Sequence, residues 1–215
     1  MKELLLVFDK DGVIIDSEAT KLALIEKVFS DYPSYTNAIH TYNYETIGIP
    51  RAFKFQHICK NILGLKNVAE AIKKYADEYT NRVNVELRQV SLIPGIRSYL
   101  QLRAERKFVC SAAPYDEVVQ NMEDHKLTQY FEGLHAFPEK KAEVMLTLKK
   151  KHDAKIVFWG DTLADYAAAQ AADVFFIGLS NAGENPFSKL SIPCISDFSK
   201  PDKIQGIIDN YLRKA

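Results

Sequence analysis

Short unbroken apolar runs alternate along this chain with stretches in which apolar residues recur every three or four positions. The first run, Leu4-Leu5-Leu6-Val7-Phe8, stops abruptly at Asp9. Phe108-Val109-Cys110, Ile156-Val157-Phe158-Trp159, Val174-Phe175-Phe176-Ile177 and Ile192-Pro193-Cys194-Ile195 have the same character. Runs this short, without polar alternation, predict strands buried on both faces, as in a parallel sheet. Between them, Val118, Val119 and Met122 share a helical face, and so do Val144, Met145 and Leu148. Strand and helix thus alternate from about Pro94 onward, the pattern of a parallel sheet with right-handed crossovers.

Residues 18 to about 90 read differently. Leu22, Ile25, Val28 and Phe29 recur at helical spacing; Ala52, Phe53, Phe55, Ile58 and Ile62 predict a second helix, and Val68, Ile72, Tyr75 and Tyr79 a third. Ser91-Leu92-Ile93-Pro94-Gly95 then breaks the helical pattern. The expected fold is α/β: a Rossmann-like parallel sheet core made of residues 1–16 and 91–215, with an inserted helical domain over 17–90. The tyrosines Tyr32, Tyr35, Tyr42 and Tyr44 are read as part of the core and loops of that insertion.

Twenty-eight basic and twenty-eight acidic residues cancel, so no broad field favours nucleic acid or an anionic membrane. No segment approaches the roughly 20 apolar residues of a membrane span, and the N-terminal run is too short for a signal peptide. Cys59, Cys110 and Cys194 form no metal-binding pattern and are too few for a disulfide framework. Reduced thiols and a cytoplasmic location are expected. His40, His57, His125, His135 and His152 are not spaced as metal ligands, and neither GxGxxG nor a P-loop string occurs.

In an open parallel sheet, ligands bind beyond the carboxyl ends of the strands. Beyond the first run stand Asp9-Lys10-Asp11-Gly12-Val13, beyond the second Ser111, and beyond Trp159 the string Gly160-Asp161-Thr162-Leu163-Ala164-Asp165. Lys140 and Lys141 open the intervening helix, where a cation could reach the same edge. Crowded carboxylates need a cation or shared protons. All-oxygen donors favour a hard ion, and Mg²⁺ suits a site whose substrate carries phosphate. An aspartate can also serve as a nucleophile toward phosphorus, and a second carboxyl two residues on as acid and base. Strand alternation would turn Lys10 away from a pocket faced by its neighbours.

In order and combination these strings resemble the haloacid dehalogenase superfamily of phosphatases and phosphotransferases. Ile14-Ile15-Asp16-Ser17-Glu18 after the first motif, and Pro94-Gly95-Ile96 at re-entry, are similar to the subgroup with a helical cap, which includes phosphoglycolate phosphatases and β-phosphoglucomutases. The resemblance implies that Asp9 is nucleophile and metal ligand, and that Asp11 is general acid/base and lends its backbone carbonyl to Mg²⁺. Ser111, with Ala112 beside it, would bind the phosphoryl group. Asp161 would ligate the metal, and Asp165 would support the metal or the lysine. Lys141 in Lys-Ala-Glu-Val-Met is the better match for the motif lysine, with Lys140 the alternative. In the cap, the turn Ile47-Gly48-Ile49-Pro50-Arg51 places Arg51, and with it Lys54, as candidate substrate contacts.

The resemblance thus implies a Mg²⁺-dependent phosphatase acting through an aspartyl-phosphate on a small phosphorylated metabolite, a phosphosugar or a phosphoglycolate-like acid. A phosphosugar mutase is the alternative, since it shares these core residues. A dehalogenase would usually lack the second aspartate of the first motif, and a binding protein recruited from the fold would show a lost core carboxylate. Neither departure occurs here. The expected partner is that metabolite, with neither nucleic acid nor membrane, in a monomer or small homo-oligomer.

Overall fold

A computed structural model describes residues 2–180 and 185–214. The chain divides into two compact units, one made of Met1–Asp16 with Ser91–Ala215 and the other of Ser17–Val90. In chain order, β1 (Glu3–Phe8) is followed by the helices of the second unit: α1 (Glu18–Val28), α2 (Thr36–Glu45), α3 (Arg51–His57), a π-helical turn over Ile58–Ile62, and α4 (Val68–Glu86). The first unit then continues with α5 (Ile96–Leu102), β2 (Arg106–Pro114), α6 (Tyr115–Asp124), β3 (Gly133–Phe137) and α7 (Lys141–His152). It ends with β4 (Ala154–Gly160), α8 (Leu163–Ala172), β5 (Phe175–Leu179), β6 (Cys194–Ile195) and α9 (Pro201–Lys214).

The six strands form one sheet in the order β3-β2-β1-β4-β5-β6, parallel throughout. The expected α/β class with a Rossmann-like parallel sheet is what the structure shows. Central β1 pairs with β2 and β4 and is buried on both faces, which is why Leu5 to Phe8 carry no polar residue. One face packs Leu5, Val7, Cys110, Ile156 and Phe158 with Met145 and Leu148 of α7 and Ala169 and Ala172 of α8. On Phe8's side of the sheet, the Phe8 and Trp159 rings stack at 4.6 Å, with Tyr99 and Phe198 packed around them. Strand order reverses between β1 and β4, so a crevice is expected at their carboxyl ends.

Strand β3 and helix α2 are among the elements that the sequence pattern does not mark. Strand β3 opens on glycine, carries His135 at its centre and lies at the sheet edge, so only Ala136 is buried and no apolar run marks it. Helix α2 buries only Ile39 and Asn43, a stripe too narrow to reveal a helix among its polar and tyrosine residues.

The helical unit closes around aromatic rings. Phe29 meets Tyr75 at 4.5 Å and Phe55 at 5.5 Å, and Phe55 meets Tyr79 at 5.5 Å. Leu24, Val28, Ile58 and Val83 fill the space between them. One charge lies in this unit's interior: Lys54 Nζ donates to the Asn43 carbonyl at 3.2 Å and to Asn43 Oδ1 at 3.0 Å. Burial lowers its ammonium to about 8; Lys21 adds to the lowering and Glu18 opposes it. Below pH 8 Lys54 is charged in both folded and unfolded chains, and folding carries the desolvation cost. Between about 8 and 10.5 the unfolded chain binds the extra proton, so this residue's contribution to stability improves with pH. The stability of the wild type relative to Lys54→Met should therefore shift in the wild type's favour across that window. A difference that stays constant in denaturant titrations at pH 7.5 and 10 would refute this.

Candidate active site

Asp9 is the first residue past β1. Its amide donates to the Trp159 carbonyl at 2.9 Å, extending the β1–β4 ladder by one bond and fixing where its side chain emerges. The Lys10 amide donates to Asp9 Oδ1 at 2.7 Å, and Lys141 Nζ stands 2.8 Å from Asp9 Oδ2. The same ammonium donates to Asp165 Oδ1 at 2.6 Å. Of the two adjacent lysines, Lys141, at the start of α7, is thus the one that reaches the carboxylates. Lys140 is exposed and pairs with Glu143 at 3.0 Å.

Asp165 is held by the start of its own helix. The Thr162 amide and hydroxyl donate to Asp165 Oδ2 at 3.2 and 2.6 Å, and the Asp165 amide donates back to Thr162 Oγ1 at 3.1 Å. This reciprocal cap satisfies donors that every helix N-terminus leaves open. It also commits both carboxylate oxygens, one to the cap and one to Lys141, so Asp165 supports the lysine. The Thr-x-x-Asp spacing is the signal by which Thr162 could have been read as its holder. Gly160 permits the arrangement, since a Cβ there would stand 2.4 Å from Asp165 Cβ.

Asp161 follows β4 directly and is half-buried, beside Gly12. With φ +72° and an imagined Cβ only 1.9 Å from Asp161 Oδ2, position 12 accepts only glycine. Ser111 lies where β2 loses register against β3, between Cys110 and Pro114. Such an irregularity re-aims side chains at a strand end. Its buried Oγ accepts from the Ala113 amide at 3.1 Å, and Ala112 lies in the same irregular stretch. Cys110 beside it is a buried thiol that burial pushes up to about 12, which rules it out as a thiolate nucleophile near neutrality. Arg51 belongs to the helical unit, where its guanidinium lies 5.2 Å from the Tyr79 ring centre.

Asp9, Asp161 and Asp165 each bring a carboxylate oxygen within 4.8 Å of the others. Lys141 contacts two of them, Asp9 and Asp165. Burial pushes the Asp9 carboxyl up to about 7; Lys141 opposes the rise, and Asp165 and Asp11 add to it. Burial also disfavours the Lys141 ammonium, but Asp165 and Asp9 outweigh it and hold the proton on more tightly than usual. Crowded carboxylates favour a bound cation, and these donors are all oxygen, so the residues fit a hard divalent cation. A cation that binds only the folded state raises stability by about 2.7 kcal/mol at a hundred times its Kd. Mg²⁺ should accordingly raise the Tm of EDTA-stripped protein, and Asp161→Asn should blunt the rise. An unchanged Tm in saturating Mg²⁺ would count against the site.

The sequence model of the haloacid dehalogenase-like hydrolases matches residues 6–179, which span every strand end just described. The chain belongs to this family. No curated protein sequence matches it. Among solved structures, this haloacid dehalogenase-like chain is similar to a predicted phosphoglycolate phosphatase from Haemophilus somnus 129PT, at 19% identity and a TM-score of 0.76, over 95% of this chain and 99% of that one. It is also similar to a β-phosphoglucomutase from Clostridium difficile, at 17% identity and a TM-score of 0.73, over 99% of each chain. At such identities the likeness is one of fold. Among the described residues, no helix of this family member is long and apolar enough to cross a membrane.

Proposed function

We propose that this hydrolase is a Mg²⁺-dependent phosphatase of small phosphorylated metabolites, with Asp9 as nucleophile. The observation that carries the reading is the buried Asp9 carboxylate at the end of the central strand, held by Lys141 at 2.8 Å within a cluster of further carboxylates. The names of the two structural relatives support a phosphate ester as substrate.

An Asp9 carboxylate oxygen attacks phosphorus, the bond from phosphorus to the ester oxygen breaks, and Asp11 gives that oxygen its proton. Asp11 then takes a proton from water, which attacks the phosphorus of the aspartyl-phosphate; inorganic phosphate leaves and Asp9 is regenerated. Lys141 opposes the protonation of Asp9 that burial favours and offsets charge on the transferring group, and the Ser111 hydroxyl with the Ala112 backbone binds its oxygens. Mg²⁺, held by Asp9, the Asp11 carbonyl and Asp161, would screen the approach of an anionic ester to an anionic nucleophile. Arg51 is assigned to substrate recognition, so Arg51→Ala should raise KM more than it lowers kcat.

The test is release of inorganic phosphate from phosphosugars and small phosphorylated acids, with Mg²⁺ and with EDTA. Turnover that needs Mg²⁺ supports the reading, and the best substrate defines the class. Interconversion of sugar phosphate isomers without net phosphate release would replace it with the mutase.

A further inference from the structure

Lys10, between the two aspartates of the first motif, is among the largest fully buried side chains of the protein. Strand β1 has already ended at Phe8, so simple alternation no longer governs where Lys10 goes. Its Nζ lies 2.7 Å from Asn121 Oδ1, 2.9 Å from Glu117 Oε1 and 3.2 Å from Asp11 Oδ1. The ammonium thus donates to Asn121 and Glu117 and pairs with Asp11. Glu117 and Asn121 stand four residues apart on α6, on the face that also buries Val118 and Met122. That helix follows directly on β2, the strand carrying Ser111.

A buried ion pair is costly, and apolar side chains of similar volume in place of Lys10 and Glu117 together would fill this space at no electrostatic cost. What an apolar residue could not do is tie down an oxygen of Asp11. Asp11 is half-buried and stands next to Gly12, whose φ is +72°. We propose that Lys10 is a positioning residue for Asp11: anchored by Glu117 and Asn121, it holds the carboxyl in the orientation from which Asp11 protonates the leaving oxygen. The inference rests on the phosphatase reading above.

General acid help matters for a poor leaving group and hardly at all for a good one. It contributes about 10²–10⁴-fold where it is needed. The experiment compares kcat/KM, which reports the first phosphoryl transfer, for the best alkyl phosphate of the panel and for p-nitrophenyl phosphate. The variants are Lys10→Met, Lys10→Met/Glu117→Gln, which removes both buried charges together, and Asn121→Leu, which removes only an anchor. The first two should lose at least about tenfold on the alkyl ester and less than about threefold on the aryl ester, with Asn121→Leu skewed the same way more weakly. Should both Lys10 variants unfold, the skew in Asn121→Leu decides. Equal losses on the two esters, or none, would overturn the positioning role and leave the phosphatase reading standing. A wild type that releases phosphate from neither ester would overturn both.

Discussion

Asp9→Asn is expected to lower phosphate release by at least about a thousandfold on every substrate, with the fold intact. The amide has the shape of the carboxylate but offers no anionic oxygen to phosphorus, so the covalent route closes at its first step. The backbone bond from the Asp9 amide to Trp159 is untouched, and Lys141 keeps its 2.6 Å contact with Asp165. Removing one of three crowded acids also relieves repulsion, so the variant should melt close to the wild type in EDTA and gain less from Mg²⁺. Residual activity within tenfold of the wild type would move the nucleophile elsewhere. A collapse of the Tm would mean that Asp9 holds the structure together.

Lys141→Met should differ in kind, because activity and stability fall together. Its ammonium bridges Asp9 and Asp165, both nearly inaccessible, and methionine leaves two buried carboxylates without that charge. Removing one partner of a buried ion pair costs about 3–5 kcal/mol. Acid should partly restore stability: burial already raises Asp9 to about 7, and losing the lysine raises it further, so the folded variant binds protons that the unfolded chain does not until pH falls toward 4. Stability should therefore improve as pH drops from 7 toward 5, while turnover stays below about a thousandth of the wild type's. Lys140→Met is the internal control, since its exposed pair with Glu143 contributes at most about 1 kcal/mol. Similar losses from both substitutions would refute the assignment of roles to the two lysines.

Much of this geometry was legible in the sequence because a parallel sheet advertises itself. A strand covered on both faces must be continuously apolar, so Leu4 to Phe8 and Ile156 to Trp159 stand out, and the first polar residue after each marks a strand end. Strand β3 and helix α2 bury too little to leave such a trace. Contacts across long chain separations were less visible. Nothing in the string Tyr-Asp-Glu-Val-Val-Gln-Asn says that its Glu117 and Asn121 meet Lys10, more than a hundred residues earlier, although both share the register of buried Val118 and Met122. The partners of Asp165 were half-legible: Thr162 through its cap spacing, Lys141 only through the fold.

Central β1 finds its hydrogen-bonding neighbours roughly a hundred and a hundred and fifty residues later, in β2 and β4. During synthesis, a sticky segment that pairs with nothing nearby must wait while the helical insertion and the segments up to β4 emerge. Helices form from local contacts and long-range strand pairing comes late, so the insertion should acquire structure well before the sheet closes. Asp9 and Asp11 stand just past the end of that waiting strand. The proposed nucleophile is therefore made well before the strands that flank it, and the site can be competent only once β4 has joined the sheet beside it.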